Sequence, residues 1–158
     1  MIFLSKLNLN NKKYPLLENA FSDSDILQGV NVLLSRRITM GKITKKFEIQ
    51  FGKFIGSKYC LMVNSGSSAN LLALSALCSP KLGDRALKRG DEVICVAAGF
   101  PTTVNPIIQN SLRPVFLDIE LGSYNIDVTQ LERALSPNTK AVFIAHTLGN
   151  RSEEHTSE

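Results

Sequence analysis

Four short runs of the chain, residues 59–64, 92–97, 114–119 and 141–146, are apolar almost throughout. A strand with one wet face alternates apolar and polar residues, so unbroken apolar runs predict strands covered on both faces, as in a parallel sheet with crossover helices. Helical patterns fill the intervals. Residues 69–77 are strong helix formers and nearly apolar all round, which predicts a buried helix. Val128, Leu131 and Leu135 recur three and four apart, with Asp127 placed to cap and Gln130 three residues on. Upstream, Ile43, Phe47, Phe51 and Phe54 align on one helical stripe, as do Ile26, Val30 and Leu33; both read as ordinary core packing. The stretch 101–111 leaves two options, because Pro106 removes a hydrogen bond from any helix begun at Pro101. A helix starting near Asn105 and a kinked helix both fit. The rhythm as a whole is βαβ and predicts an α/β fold.

Composition narrows the class. With 158 residues, 44% hydrophobic and 20% charged, the chain is a soluble globular domain or part of one, which excludes a disordered tail or a fibrous repeat. The net charge of +4 is spread along the sequence, and its basic runs are pairs such as Arg36-Arg37 and Lys45-Lys46 without interleaved aromatics. That is no nucleic-acid stripe. Cys60, Cys78 and Cys95 sit in apolar segments at wide spacing, so they read as buried free thiols in a reducing compartment. The apolar opening, residues 1–4, is too short for a secretory segment, and no later run approaches the roughly 18 apolar residues of a membrane span. A cytoplasmic protein without membrane or nucleic-acid partners is expected.

The last eight residues, 151–158, carry no apolar side chain. They read as a non-native or artefactual tail, such as a translated sequencing adapter, with a frayed natural terminus as the alternative. The remainder divides into an N-terminal helical arm, 1–58, and the first half of an α/β domain, 59–150.

The chemistry concentrates where the first apolar run passes through Asn64-Ser65-Gly66-Ser67-Ser68 into a helix. The first amides of a helix have no partner within it, its dipole leaves positive potential there, and Gly66 lacks the side chain that blocks close approach. Ser67 and Ser68 add hydroxyl donors. Such a junction suits a phosphate, although simple turn chemistry explains it as well. The segment lacks both the Gly-Lys-Ser/Thr ending of a P-loop and the GxGxxG fingerprint, so neither ATP nor NAD is indicated. A second candidate, Ala98-Gly99-Phe100-Pro101-Thr102-Thr103, follows the next apolar run, and His146-Thr147-Leu148-Gly149-Asn150 ends the fourth. Ligands of parallel sheets gather outside the carboxyl ends of strands, where these segments lie. Phe100 there is either a stacking surface for a flat ring or a core residue, and His146 is either a pocket residue or a hydrogen-bonded structural one. No metal-ligand spacing is present.

Together these segments resemble the DegT-type nucleotide-sugar aminotransferase family, fold type I pyridoxal phosphate enzymes. The resemblance runs through Ile38-Thr39-Met40-Gly41, Val63-Asn64-Ser65-Gly66-Ser67, Gly90-Asp91-Glu92-Val93-Ile94, Pro114-Val115-Phe116-Leu117-Asp118, Tyr124-Asn125-Ile126-Asp127 and Thr139-Lys140-Ala141-Val142. The variants Ser68-Ala69-Asn70-Leu71-Leu72, Gly99-Phe100-Pro101-Thr102-Thr103 and His146-Thr147-Leu148-Gly149-Asn150 are most similar to the CDP-4-keto-6-deoxyglucose 3-dehydrase branch. That branch makes precursors of 3,6-dideoxy sugars for lipopolysaccharide O-antigen, with pyridoxamine phosphate, an iron-sulfur cluster and a partner reductase.

The resemblance implies an incomplete fold type I large domain, a pyridoxal or pyridoxamine phosphate cofactor, a nucleotide-sugar substrate and a homodimer in the full-length family. By position it implies that Gly66, Ser67 and Ser68 hold the cofactor phosphate and that Phe100 stacks on its pyridine ring. Thr103 and His146 fall near the pocket without a defined role. The cofactor ring serves as the electron sink for loss of the sugar's C3 hydroxyl, and the protein binds, orients and places one base. In the dehydrase branch that base is a histidine where aminotransferases have a lysine. The base, the acidic partner of the pyridine nitrogen and the cluster cysteines all lie beyond residue 150 in the family's order, and Cys60, Cys78 and Cys95 do not match those ligands. The chain alone is therefore expected not to catalyse and to be marginally stable, with run 59–64 deprived of its neighbouring strand while the other three assemble. An aminotransferase of the same family, and a non-catalytic domain binding a phosphate ligand or a partner chain, are the alternatives.

Overall fold

The computed structural model describes residues 20–150. The start of the expected helical arm, 1–19, and the expected tail, 151–158, lie outside the described residues. The chain forms two compact units that divide between Met62 and Val63.

The first unit holds two helices, α1 (Asp23–Leu34) and α2 (Lys42–Ile55). Ser22 and Asp25 open α1 with a reciprocal cap, in which each backbone amide donates to the other's side chain. Gly56 closes α2 in the left-handed conformation, φ +73°, which a side chain would strain. Both expected stripes are present, and the rings of Phe47 and Phe51 stack at 5.5 Å. They are not core, however: Ile43 is 65% exposed and Phe54 86%. Helical periodicity shows that an apolar face exists, whereas its burial depends on what lies against it.

The second unit comprises α3 (Gly66–Leu77), β1 (Glu92–Val96), α4 (Pro101–Gln109), β2 (Arg113–Leu117), α5 (Leu131–Ala134) and β3 (Thr139–Val142). The strands form a parallel sheet in the order β2-β1-β3. The central strand is buried from end to end. Val93 and Cys95 point to one face, where Leu74 of α3, Ile107 of α4 and Leu112 complete a core. Ile94 and Val96 point to the other, against Leu117, Ile126 and, around them, Leu131 and Ala134 of α5. The chain crosses from β1 to β2 in one direction and from β2 to β3 in the other, so α4 and α5 cover opposite faces, as right-handed crossovers require. An incomplete parallel α/β domain with crossover helices is the architecture expected.

Three of the four apolar runs become strands of this sheet. The fourth, 59–64, does not: it joins no strand. Both sides of β1 are taken by β2 and β3, and no further strand lies beside 59–64 among the described residues. Its Met62 amide donates instead to Oε1 of Glu48 on α2, at 3.0 Å. The other two runs are exposed in part, Phe116 at 51% and Val142 at 52%, because β2 and β3 are the edges of the sheet. The helix expected to be buried, now α3, buries only Leu74.

Two local expectations are settled. Asp127 caps the turn Val128–Gln130, which leads into α5; its Oδ1 accepts from the Thr129 amide at 3.0 Å. The Gln130 side chain donates to the Asp127 carboxylate at 2.7 Å, rather than reaching the backbone as in a full capping box. Helix α4 starts at Pro101 and runs through Pro106. A proline at the first helical position gives up only an amide that has no helical partner anyway, and its ring fixes φ for the helix.

The amino ends of the strands are joined through one carboxylate. Glu92, 4% exposed, accepts from Arg113 Nη2 at 2.6 Å, Ser136 Oγ at 2.6 Å and Thr139 Oγ1 at 3.2 Å. These donors belong to β2, the turn before β3, and β3. The hydrogen bond from Ser136, then those from Thr139 and the nearby Arg113 charge, hold the Glu92 carboxyl below the usual glutamate range against the opposing effect of burial. The unfolded chain therefore binds this proton first as pH falls, and the stabilisation by Glu92 is complete above the ordinary carboxylate range and lost through the lower folded value. Glu92→Gln is expected to lower the urea midpoint at neutral pH, and the gap between wild type and variant is expected to close on acidification. A constant gap across that range would mean that the charge of Glu92 plays no part.

Candidate cofactor site

Helix α3 begins at a serine cap. Ser65 is extended, φ −162° and ψ 163°, and its Oγ accepts from the Ser68 amide at 3.2 Å. The Ala69 amide donates to the Ser65 carbonyl at 3.0 Å, which starts the helical ladder. Of the first-turn amides, those of Gly66 and Ser67 remain without a helical partner. A Cβ built on Gly66 meets nothing within 4 Å, so the space outside this turn is open. The first turn of α3 therefore presents two amides and the hydroxyls of Ser67 and Ser68 at the positive end of a 12-residue helix.

Helix α4 lies beside α3. Asn70 Nδ2 donates to the Thr102 carbonyl at 3.2 Å, and Ser75 Oγ donates to Asn110 Oδ1 at 3.0 Å. Contacts of 70 with 102 and of 75 with 110 mean that the two helices run in the same direction, amino end beside amino end. Because α4 follows the carboxyl end of β1, both amino ends stand at that edge of the sheet. A groove of about 170 Å³ between them is lined by Ser67, Ser68, Leu71, Thr102, Asn105 and Pro106, with Gln109 at its far end.

Phe100 caps α4 with its backbone extended, φ −87° and ψ 141°, and its ring is 73% exposed. It is therefore no core residue. The turn that delivers it is tight: a Cβ on Gly99 would stand 3.1 Å from Cγ2 of Val96. Thr103, three residues on, is 8% exposed and faces inward, and its amide donates to the Phe100 carbonyl at 3.0 Å. His146 is exposed and opens the turn Thr147–Gly149 after β3. The structure thus brings Ser67 and Ser68 together with Thr102, at the amino end of the helix that Phe100 caps. Thr103 lies beneath that surface, and His146 follows the neighbouring strand.

Asn70, Thr102 and Asn105 were not singled out from sequence. Asn70 stands alone as a polar residue within the apolar stretch 69–74, and that was the available signal. Cys78 and Cys95 are held above the usual thiol range, Cys78 by burial and then by Asp91, Cys95 by burial alone, so neither is a thiolate at neutral pH. Among the described residues, no group of three or more His, Cys, Asp and Glu side chains is placed to hold a metal ion. None of their helices is long and apolar enough to cross a membrane.

The DegT/DnrJ/EryC1/StrS aminotransferase family model matches residues 21–155. The chain belongs to this family. It is 59% identical over 121 residues to the lipopolysaccharide biosynthesis protein RfbH of Salmonella typhimurium, a match covering 77% of the chain and 28% of RfbH. It is 51% identical over 128 residues to the dTDP-4-dehydro-2,6-dideoxy-D-glucose 3-dehydratase of Saccharopolyspora spinosa, covering 81% of the chain and 28% of that enzyme. A solved structure, the Escherichia coli GDP-4-keto-6-deoxy-D-mannose-3-dehydratase with bound hydrated PLP, superposes with a TM-score of 0.75 at 42% identity, over 82% of the chain and 33% of that protein. The chain therefore spans a third or less of these relatives and corresponds to their N-terminal part.

The cap sets a baseline for stability. Ser65→Ala is expected to cost about 1 kcal/mol, the ordinary value of a serine N-cap. A lowered urea midpoint at unchanged slope would show it; an unchanged midpoint would mean that α3 does not depend on its cap.

Proposed function

We propose that this chain is the N-terminal part of a pyridoxamine or pyridoxal phosphate-dependent nucleotide-sugar 3-dehydrase, serving dideoxysugar formation for lipopolysaccharide O-antigen. The observation that carries the reading is the amino end of α3, where a serine cap leaves the Gly66 and Ser67 amides to a ligand, next to the helix that the exposed Phe100 caps. Identities of 59% and 51% to RfbH and to a sugar 3-dehydratase support that branch.

The residues present fit such a cofactor. The amides of Gly66 and Ser67 and the hydroxyls of Ser67 and Ser68 would hold a phosphate dianion, and the helix dipole favours its charge. The exposed Phe100 ring would lie against the pyridine face, with favourable stacking and exclusion of water. Thr103, whose amide donates to the Phe100 carbonyl, and His146, which follows β3, fall near this site without a defined role. When bound, the cofactor supplies an electron sink for loss of the sugar C3 hydroxyl. An iron-sulfur cluster, a reductase partner, a homodimer and a cytoplasmic location belong to this proposal for the whole protein. On this reading Cys60, Cys78 and Cys95 do not match its cluster ligands.

The second reading within the family is an aminotransferase, and sequencing the source DNA past codon 150 separates the two. A histidine in the base position supports the dehydrase, and a lysine there overturns it in favour of transamination. A frame that stops after codon 158 favours a non-catalytic binding domain.

Cofactor binding is testable on the 158-residue chain by titration with pyridoxal phosphate and, separately, inorganic phosphate. Replacing Ser67 and Ser68 together by alanine is expected to weaken both by about a hundredfold or more, as loss of two hydrogen bonds to a charged group predicts. Gly66→Ala meets no atom of the protein, so it is expected to weaken both ligands without lowering stability. Phe100→Ala is expected to weaken pyridoxal phosphate alone. A chain that takes up no pyridoxal phosphate, or serine variants that bind like wild type, would sink the assignment.

A further inference from the structure

Pro106 stands inside α4, where its missing amide leaves the carbonyl four residues earlier, that of Thr102, without a helical donor. In a helix interior a proline ring also crowds that carbonyl and favours its turning outward. The carbonyl is not left bare. Asn70 Nδ2, from the second turn of α3, donates to it at 3.2 Å in a partly buried position. A carbonyl with a regular helical donor is already satisfied along its axis, so the proline and the asparagine are complementary.

We infer that Asn70 is a positioning residue: by replacing the donor that Pro106 removes, it fixes the first turn of α4, and with it Phe100, against the Ser67–Ser68 end of α3. The connection to Phe100 is short. Thr103, next to the bonded carbonyl, donates its amide to the Phe100 carbonyl at 3.0 Å. At the other end of the helix pair, Ser75 donates to Asn110, and Asn110 Nδ2 returns to the Pro106 carbonyl at 2.8 Å. The Asn70 bond is thus the polar link nearest the candidate site. Its functional meaning, a set spacing between phosphate donors and a ring-stacking surface, rests on the cofactor reading above, but the bond itself does not.

A double-mutant cycle on the 158-residue chain tests this. Pro106→Ala restores an amide to the Thr102 carbonyl and so removes the need for Asn70. Asn70→Ala deletes the side-chain donor while giving α3 a better helix former, so α3 itself is not weakened. Asn70→Asp keeps the shape and removes the donor. Hydrogen exchange of the Thr103 amide is the readout, because that amide is bonded to Phe100. With Pro106 in place, both Asn70 variants are expected to speed its exchange by about tenfold, the size a single hydrogen bond supports. In the Pro106→Ala background the same changes are expected to have less than a twofold effect. Unaltered exchange in Asn70→Ala, or equal acceleration in both backgrounds, overturns the inference.

Ligand binding supplies the second readout. Asn70→Ala is expected to raise the dissociation constant for pyridoxal phosphate by about three- to tenfold while changing that for inorganic phosphate less than twofold, and Pro106→Ala is expected to reverse the loss. Equal weakening of both ligands would mean that Asn70 serves the α3 turn itself, against the inference. If the wild-type chain takes up no pyridoxal phosphate, the cofactor reading fails alone, and the exchange cycle still decides the role of Asn70.

Discussion

Three short parallel strands joined by long crossovers have little to set their mutual register except the side chains that span them, and here one carboxylate spans all three. Glu92 is buried at the head of the central strand, and it is tolerated there because Arg113, Ser136 and Thr139 each donate to it. The same bonds fix which residue of each edge strand stands beside β1. The β1–β3 register shifts by one residue between Glu92 and Val93, and the Thr139 side chain meets Glu92 on the near side of that irregularity. The opposite ends of the strands form the carboxyl edge of the sheet. They open into the loops that lead to Phe100 and His146, so the end that holds the sheet together and the end that offers a site are separated along the strand axis.

How far the sequence disclosed this follows from what each feature depends on. The two-faced core of β1 was legible, since Val93, Ile94, Cys95 and Val96 are apolar without alternation and are all buried. The Ser65-Gly66-Ser67-Ser68 junction was legible too, because helix caps are local chemistry. Coverage was not. The stripe from Ile43 to Phe54 and the apolar surface of α3 exist as the sequence predicts, yet they stand open, since burial is a property of neighbours and not of the pattern itself. Composition alone predicted a strand at 59–64, whereas the family resemblance implied that this run would lack its neighbour, as the structure has it: a strand needs an adjacent edge, and composition does not supply one.

The course of α4 shows another limit. From sequence, Pro106 weighed against a helix starting at Pro101, and within the helix alone that argument is sound. It is offset by a residue 36 positions earlier, Asn70, whose amide takes the orphaned carbonyl. Such a compensation is invisible to any local pattern, because neither residue signals the other. A polar side chain among the apolar residues 69–74 of α3 and a proline inside α4 are each a small misfit alone, and together they form one interaction.

The placement of the two helices carries a further electrostatic consequence. Helices α3 and α4 lie side by side in the same direction, so their positive amino ends are neighbours, an arrangement that dipole repulsion disfavours. The unfavourable term falls when an anion sits at the shared end, and the Gly66 and Ser67 amides are available there. On the cofactor reading, the phosphate would offset the repulsion that the apolar packing of Leu74, Ile107 and Leu112 and the Asn70 and Ser75 bonds otherwise oppose. Binding and helix packing then draw on the same interaction: whatever holds the amino ends together also concentrates positive potential where the ligand would bind.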